Sequence, residues 1–589
     1  MLIESIQSAL RRLPLATWTR GYGWSMAGQD ALAALLVTAL LVPQALAYAF
    51  LAGLPPQVGL YASGLPLLVY ALLGSSRVLA VGPMALTSLM TGAAVATAVG
   101  VDGASTTQAA VALAVLSGLM LMGMGLLRLG FLANFLSQPV MSGFVSASAL
   151  LIAAGQLAPL MGIPGGGHTL QAVLQPLWAH AHALHGPTLL LGGASLLWLV
   201  WARRGLHGLW VQLGGADATG RLVGQTAPLW ALVGTSAAVA AAQAWWHTTG
   251  LPAGANPLSD VAVVGVLPAG LPPLAWPAWQ PGLWVHLAGQ ALLIAVVGVV
   301  GAISVGQTLA ARRRERIDPN QEMWALGASN LASGLSGGLP VTGGLSRSVV
   351  NADAGAQTPV AGALTALALV LVVGGLTPLL RHLPQAVLAA AVMVPVLSLV
   401  DVAAMRRTWR FSRFDGAALL TTLLATLTWG VAQGLLAGLV VSLLLVLWRT
   451  SHPHMAVVGR VPGTEHYRNV QRHAVECLPQ VLGLRVDESL YFGNARALED
   501  RINLEVAQQP TLRHVVLLCS AVNDVDASAL DSLDAINHRL RAAGIALHLS
   551  EVKGPVMDRL QRTGWLHQLS GRVFLTHHQA IQALSSDGG

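Results

Sequence analysis

The sequence predicts an α-helical polytopic membrane protein that carries a cytoplasmic α/β domain at its C-terminal end. Two observations carry this. Of its 589 residues 54% are hydrophobic and only 10% are charged, against about 25% charged in soluble globular chains. Apolar segments also recur from residue 28 to 448, after which the composition turns polar.

Taken in order, "MLIESIQSALRRLPLATW" spreads apolar residues at helical spacing with arginines between them, and lacks the continuous apolar core and cleavage site of a signal peptide. It reads as an amphipathic helix on the membrane surface, within a cytoplasmic segment 1–27. A membrane domain is expected over 28–450, with apolar segments near 29–52, 58–75, 83–99, 108–127, 138–161, 187–202, 226–246, 283–311, 323–338, 344–356, 360–380, 385–404, 416–431 and 432–448. At ~20 residues per span these make about fourteen membrane elements, several shorter than a full crossing. With the N-terminus in the cytoplasm, alternation places the loop arginines inside, including Arg77, Arg128, Arg221, Arg312, Arg313, Arg314, Arg316, Arg406, Arg407 and Arg449, and leaves only Arg381 outside. The net charge of +7 therefore reports orientation. These scattered arginines form no basic footprint, and no nucleic-acid partner is expected.

Arg347, in "GGLPVTGGLSRSVVNADAG" (337–355), sits at membrane depth. An ionisable group there is costly unless it faces a cavity or a partner. Two readings are open: an ion pair with Asp353 that holds two helices together, and a positive charge that serves an anion site. Local sequence favours the second. Pro340, Gly343 and Gly344 suggest an extended stretch and then a helix that starts near mid-membrane. In the first half "SSRVLAVGPMALTSLM" likewise runs through Gly82 and Pro83 into a helix, with Pro83 at a first-turn position. One Gly/Pro-broken segment in each half is the sequence sign of a transporter site between inverted repeats. Facing helix N-termini offer N–H groups and partial positive charge to an anion, and Ser346 adds a hydroxyl.

The stretch "PQVGLYASGLPLLVYALLGSSR" (56–77) resembles the signature of the SulP sulfate-permease family, with Val58 where an aromatic is usual. The resemblance continues through "VPQALAYAFLAGLPP", "VGPMALTSLM", "RIDPNQEMWALGASNLASGLSGGLPVTGGLSRSVVNADAG" and "GRVPGTEHYRNV". It implies a seven-plus-seven transmembrane inverted repeat in which a core domain moves against a gate domain, and a homodimer. It also implies substrate-binding positions: Gln44 and Tyr48 on the first helix, Met84 and Ala85 at the start of the third, Ser346 and Arg347 at the tenth. Read from the residues themselves, Gln44 is either an amide donor to an oxyanion or a partner for backbone groups loosened by Pro43. Tyr48 either closes a cavity or packs. Met84 and Ala85 suit backbone donation.

The sequence departs from the family at one further site position. Bacterial relatives often carry a carboxylate in the eighth helix, in an "E-A-I-S" context. In "VVGAISVGQTLAARRRERIDPN" Gly301 takes that place, and no Asp or Glu occurs from 283 to 311. Without the acid the site is net positive, and proton or sodium symport by the usual route is not expected.

After a linker, 451–474, the segment 475–587 reads as strands alternating with helices, an α/β sandwich that resembles the STAS domain of anti-sigma-factor antagonists. Ser528 occupies the place of their phosphorylated serine, and reads locally as an N-cap or first-turn serine. A cytoplasmic regulator is the partner this resemblance adds. His180, His182 and His185 in "HAHALH" read as a solvated periplasmic loop, because no acid or cysteine accompanies them as a metal ligand. Lys553 is the single lysine, so no GxxxxGK[ST] phosphate loop exists and a nucleotide-driven pump is not expected. Cys477 and Cys519 read as reduced core thiols.

The expectation is thus a non-enzymatic secondary anion transporter of the inner membrane, with both termini cytoplasmic, no cofactor and no metal. Its partners are a small anion and the lipid bilayer. Sulfate, bicarbonate, chloride and a dicarboxylate are not discriminated by these residues. The alternatives are a channel-like anion conductor, and a membrane-anchored sensor that signals through its STAS domain.

Overall fold

The computed structural model describes residues 21–130, 137–213, 220, 224, 226–249, 258, 260–268, 270, 272 and 274–586. The expected N-terminal amphipathic helix and Arg221 lie outside the described residues. The chain divides into two compact units, Met1–Val440 and Val441–Gly589.

The apolar runs fold as helices. The first half holds α1 (Trp24–Leu51), α2 (Pro56–Tyr61), α3 (Leu65–Leu73), β1 (Val81–Gly82), α4 (Ala85–Ala98), α5 (Thr106–Leu126), α6 (Gln138–Gly155), α7 (Leu157–Met161), α8 (Leu170–Ala179), α9 (Gly186–Gln212) and α10 (Ala227–Thr249). The second half holds α11 (Pro281–Arg312), α12 (Pro319–Leu335), β2 (Thr342–Gly343), α13 (Leu345–Asp353), α14 (Val360–Leu371), α15 (Gln385–Leu397), α16 (Val402–Phe411), α17 (Arg413–Trp429) and α18 (Val431–Ser451). Eight helices or helix pairs among the described residues are long and apolar enough to cross a membrane. Others fall short, notably α4 with 14 residues and α13 with nine.

Grouping α2 with α3, α6 with α7 and α15 with α16, and setting aside the connecting helix α8, leaves two sets of seven membrane elements, one ending at Thr249 and one beginning at Pro281. The third of each set is a short helix behind a two-residue strand. Those strands pair antiparallel, so the two broken segments enter from opposite directions, as an inverted repeat requires. Helices α1 to α5 pack with α11 to α14, while α6, α9, α15 and α17 pack on one another. These are the core and gate groups.

Small residues set the core spacing. A Cβ at Gly118 of α5 would lie 2.8 Å from Gly327 O, and one at Gly327 of α12 would lie 2.9 Å from Gly118 O. Backbones touch there, as membrane helices without bulky side chains allow. In the gate group Gly143 of α6 plays the same part against Leu419 O of α17, 2.4 Å from its would-be Cβ.

The second unit is a six-stranded sheet in the order β4-β3-β5-β6-β7-β8, built from β3 (Met455–Arg460), β4 (Tyr467–Asn469), β5 (Val481–Val486), β6 (His514–Leu518), β7 (Ala546–Ser550) and β8 (Val573–Phe574). Strands β5 to β8 run parallel, joined by α19 (Ala495–Gln508), α20 (Ala527–Ala542) and α21 (Gly554–Arg562), and α22 (His577–Ser586) closes the chain. Parallel strands covered on both faces read as continuous apolar runs, and in β5 all but one of the six residues are buried. Within the expected linker 451–474 the chain forms β3 and β4, both antiparallel additions to this sheet. Pairing with β3 also protects the edge of β5, which would otherwise be a row of open backbone groups. Cys519 is buried as expected, whereas Cys477 is exposed and not a core thiol. Ser528 is exposed in the first turn of α20, where Asp526 is the cap and accepts from Ala529 N at 2.8 Å.

His577 gives this unit a pH dependence. It is 1% exposed, with Nδ1 2.9 Å from Ser550 Oγ, and burial holds its pKa down at about 4. An unfolded histidine titrates near ~6.5, so between those values the unfolded state binds more protons. The contribution is complete above pH ~6.5 and is lost as pH falls toward the folded value. Amide exchange in β7 and α22 is expected to accelerate, after correction for intrinsic rates, as pH drops from 7 to 4.5. Unchanged protection over that range contradicts the assignment.

Candidate functional site

The two broken segments meet in a short antiparallel pairing. Val81 pairs with Gly343 and Gly82 with Thr342. Gly344 N donates to Ala80 O at 3.0 Å, Ala80 N to Ser348 Oγ at 2.9 Å, and Asn351 Nδ2 to Val78 O at 3.0 Å. Asn330 on α12 bonds both backbone groups of Val341, donating to its O at 2.8 Å and accepting from its N at 2.9 Å. Thr342 Oγ1 donates to Gly298 O of α11 at 2.6 Å. Backbone outside a regular helix is thus satisfied by neighbouring segments, the condition for keeping it at membrane depth.

Beyond the crossing, α4 begins after Met84 and α13 after Gly344, and neither has a side-chain cap. First-turn N–H groups of a helix lack intrahelical acceptors and carry partial positive charge. Both starts line one cavity of about 340 Å³.

Arg347, in the first turn of α13, lines the same cavity. It is only 2% exposed, and none of its three guanidinium nitrogens has a hydrogen-bond partner among the described residues. Two glycines make room for it: a Cβ at Gly82 would approach Nη2 to 3.3 Å, and one at Gly344 to 2.9 Å. Asp353 is exposed and leaves the guanidinium unpaired, so the ion-pair reading of Arg347 is set aside. A buried cation with open donors, beside two uncapped helix starts, is an arrangement that favours a negative charge.

All seven positions singled out from the sequence line this cavity: Gln44, Tyr48, Met84, Ala85, Gly301, Ser346 and Arg347. A Cβ built at Gly301 meets nothing within 4 Å, so the missing acid leaves open space. Sequence reasoning missed the opposite wall, formed by Gln138, Met141, Ser142 and Ser148 of α6 and Pro395 of α15. Ser148 is 1% exposed, and its Oγ has no partner among the described residues; its only signal in the sequence is a hydroxyl within an apolar run. A second cavity of about 510 Å³ shares Gln44, Ser346 and Pro395 with the first and is lined also by His207. Of the "HAHALH" histidines, His180 Nδ1 lies 3.1 Å from Pro176 O and His185 Nδ1 2.6 Å from Thr188 Oγ1, each a local contact.

Two buried acids that the sequence reading passed over hold the ends of the broken segments. Glu322 on α12 is 0% exposed and accepts from Tyr70 Oη at 2.8 Å, Ser75 N at 2.9 Å, Ser75 Oγ at 2.7 Å and Ser76 N at 3.1 Å, just ahead of β1. Asp30 on α1 accepts from Gln357 N at 2.6 Å and Thr358 Oγ1 at 2.5 Å, just after α13. Glu322→Ala would leave two backbone donors and a phenol unpaired. At ~1–3 kcal/mol per orphaned buried donor the loss is about 3 kcal/mol or more. The unfolding midpoint in detergent is expected to fall by several degrees, and an unchanged midpoint contradicts the anchoring role.

Fold and site together define a polytopic helical membrane protein of the broken-helix, inverted-repeat class. Residues 28–422 match the model of the sulfate permease family, and residues 472–580 that of the STAS domain. The chain is 32% identical over 585 residues to sulfate transporter 4.1, chloroplastic, of Arabidopsis thaliana, covering 97% of this chain and 82% of that one. It is 33% identical over 573 residues to a probable sulfate transporter of Mycobacterium tuberculosis, covering 96% of this chain and 95% of that one. The structure of SLC26A9 shares the fold, with a TM-score of 0.86 at 22% identity, over 99% of this chain and 94% of that one. The chain belongs to the sulfate permease family, with a C-terminal STAS domain.

Proposed function

We propose that the protein is a secondary transporter that moves a small anion across the inner membrane by alternating access. The observation that carries this reading is the unpaired, buried Arg347 guanidinium at a cavity between two uncapped helix starts. In that reading the anion takes N–H groups from the α4 and α13 starts at Met84, Ala85 and Ser346, an amide from Gln44, and the charge of Arg347. Tyr48 and Gly301 complete the wall. The cavity lies between core and gate groups, so a displacement of one against the other would open it to either side. Family membership and the sulfate transporters among its relatives support anion transport. Cytoplasmic termini, a homodimer and a regulatory role for the STAS domain belong to the same reading.

Purified protein in liposomes, loaded with unlabelled anion and given labelled anion outside at clamped potential, tests it. Saturable uptake stimulated by the anion inside is expected. Unitary currents without such stimulation favour a conductor, and anion binding with no flux favours a sensor.

A further inference from the structure

Helix α16 joins two membrane helices of the gate group, α15 and α17, and packs against α17 and α6, yet none of its ten residues is buried. Its exposed surface mixes two residue types. Val402 is 51% exposed, Trp409 49% and Phe411 89%. Among them and just after them stand Arg406, Arg407, Arg410 and Arg413, all exposed, and none has an ion-pair partner among the described residues. Helical spacing puts Val402, Arg406 and Trp409 on one stripe, with Arg407 and Arg410 on the next. Asp401 caps the helix by accepting from Ala404 N at 2.8 Å, and Asp415 stands in the first turn of α17. Four cations against these two acids leave 401–415 at +2.

A solvated cytoplasmic loop accounts for arginines but not for open aromatic rings among them. The other basic cluster shows the difference. Arg312, Arg313, Arg314 and Arg316 surround Glu315, which pairs with Arg77 at 3.5 Å, and no large apolar residue from 311 to 319 is exposed. On α16 the rings and the charges share one short helix at the end of a membrane element. That is the composition of a helix lying in the bilayer interface, where apolar side chains enter the headgroup boundary and arginine stems carry their charge up to the phosphates. A free phosphate would satisfy the arginines and leave the rings in water. A lipid serves both.

We propose that α16 is a binding surface for anionic phospholipids of the cytoplasmic leaflet, with Arg406, Arg407, Arg410 and Arg413 on headgroup phosphates and Trp409 and Phe411 in the acyl boundary. Pro395 of α15 and Leu399 just beyond it line the anion cavity, so lipids that hold α16 also hold the gate wall to the leaflet. The proposal rests on the inside placement of this loop and not on which anion is carried.

The test uses the purified full-length protein in phosphatidylcholine vesicles that contain a trace of phosphatidylglycerol with a photoreactive group beside its headgroup. A parallel sample carries the same group on phosphatidylcholine, and labelled peptides are mapped in both. Labelling of 402–414 by the phosphatidylglycerol probe is expected to exceed that by phosphatidylcholine about tenfold, as two uncompensated charges at an anionic headgroup would give. The excess should shrink as salt is raised. Equal labelling by the two probes overturns recognition by charge. Phosphatidylglycerol label on 312–316 with none on α16 overturns the placement, and protection of α16 from both probes overturns it in favour of a protein covering this face. Arg406→Gln, Arg407→Gln, Arg410→Gln and Arg413→Gln together are expected to abolish the excess, while lysine at the same four positions keeps most of it. A folded glutamine variant with the wild-type excess contradicts the assignment of these residues, and the wild-type map decides the matter if that variant does not fold. Anion flux is not the readout, so failure here leaves the transport reading intact.

Discussion

Arg347→Gln is expected to weaken anion binding tenfold or more while the protein stays folded. The guanidinium has no partner among the described residues, so glutamine removes no internal bond and relieves a buried charge. Loss of one charge-assisted contact costs roughly 1.5–3 kcal/mol, or about one to two orders of magnitude in affinity. Two readouts separate this from a structural defect. The melting temperature without anion should stay level or rise, because an uncompensated buried charge is unfavourable. The stabilisation that saturating anion gives the wild type should largely vanish, since it scales with affinity. Normal affinity in a folded Arg347→Gln protein sinks the site assignment.

Gly301→Glu is expected to turn a pH-insensitive site into a pH-sensitive one. Among the described residues that line the cavity none is of a type that titrates between about pH 4 and 8, so wild-type affinity should stay nearly level there. A glutamate at 301 would enter open space on the same cavity as Arg347. Ionised, it lowers the local positive potential and repels the anion; protonated, it does neither. Affinity should therefore fall as pH rises through the titration of the new carboxyl, and recover toward the wild-type value at acid pH. The same logic says that wild-type uptake at zero potential gains little from an inward proton gradient. Strong acceleration by such a gradient contradicts it, and would point to His207 in the adjoining cavity, which shares Gln44 and Ser346 with the site.

Much of this was legible because hydrophobicity and broken segments leave clear marks. The apolar runs give the helices, and the clusters around Gly82–Pro83 and Pro340–Gly344 give the crossing and both helix starts. Arg347 stood out because a guanidinium has no cheap place in a membrane. The far wall was not legible, since Ser148 and Pro395 look like ordinary members of apolar helices until α6 and α15 are seen to face the crossing. Glu322 escaped notice for another reason: its partners Tyr70, Ser75 and Ser76 are 246 to 252 positions away, and no local pattern announces such a bond. The segment 451–474 reads as a linker because the only apolar run in it, Met455 to Val458, is too short to announce β3, whose pairing with β5 is a tertiary fact.

The most direct test of the central claim is a crystal structure of the protein grown with bromide and measured at the bromine absorption edge. The account predicts an anomalous peak in the cavity, within hydrogen-bond reach of the Arg347 guanidinium and of the backbone N–H groups that open α4 and α13. Bromide bound only elsewhere, with Arg347 unoccupied at saturating concentration, would contradict it.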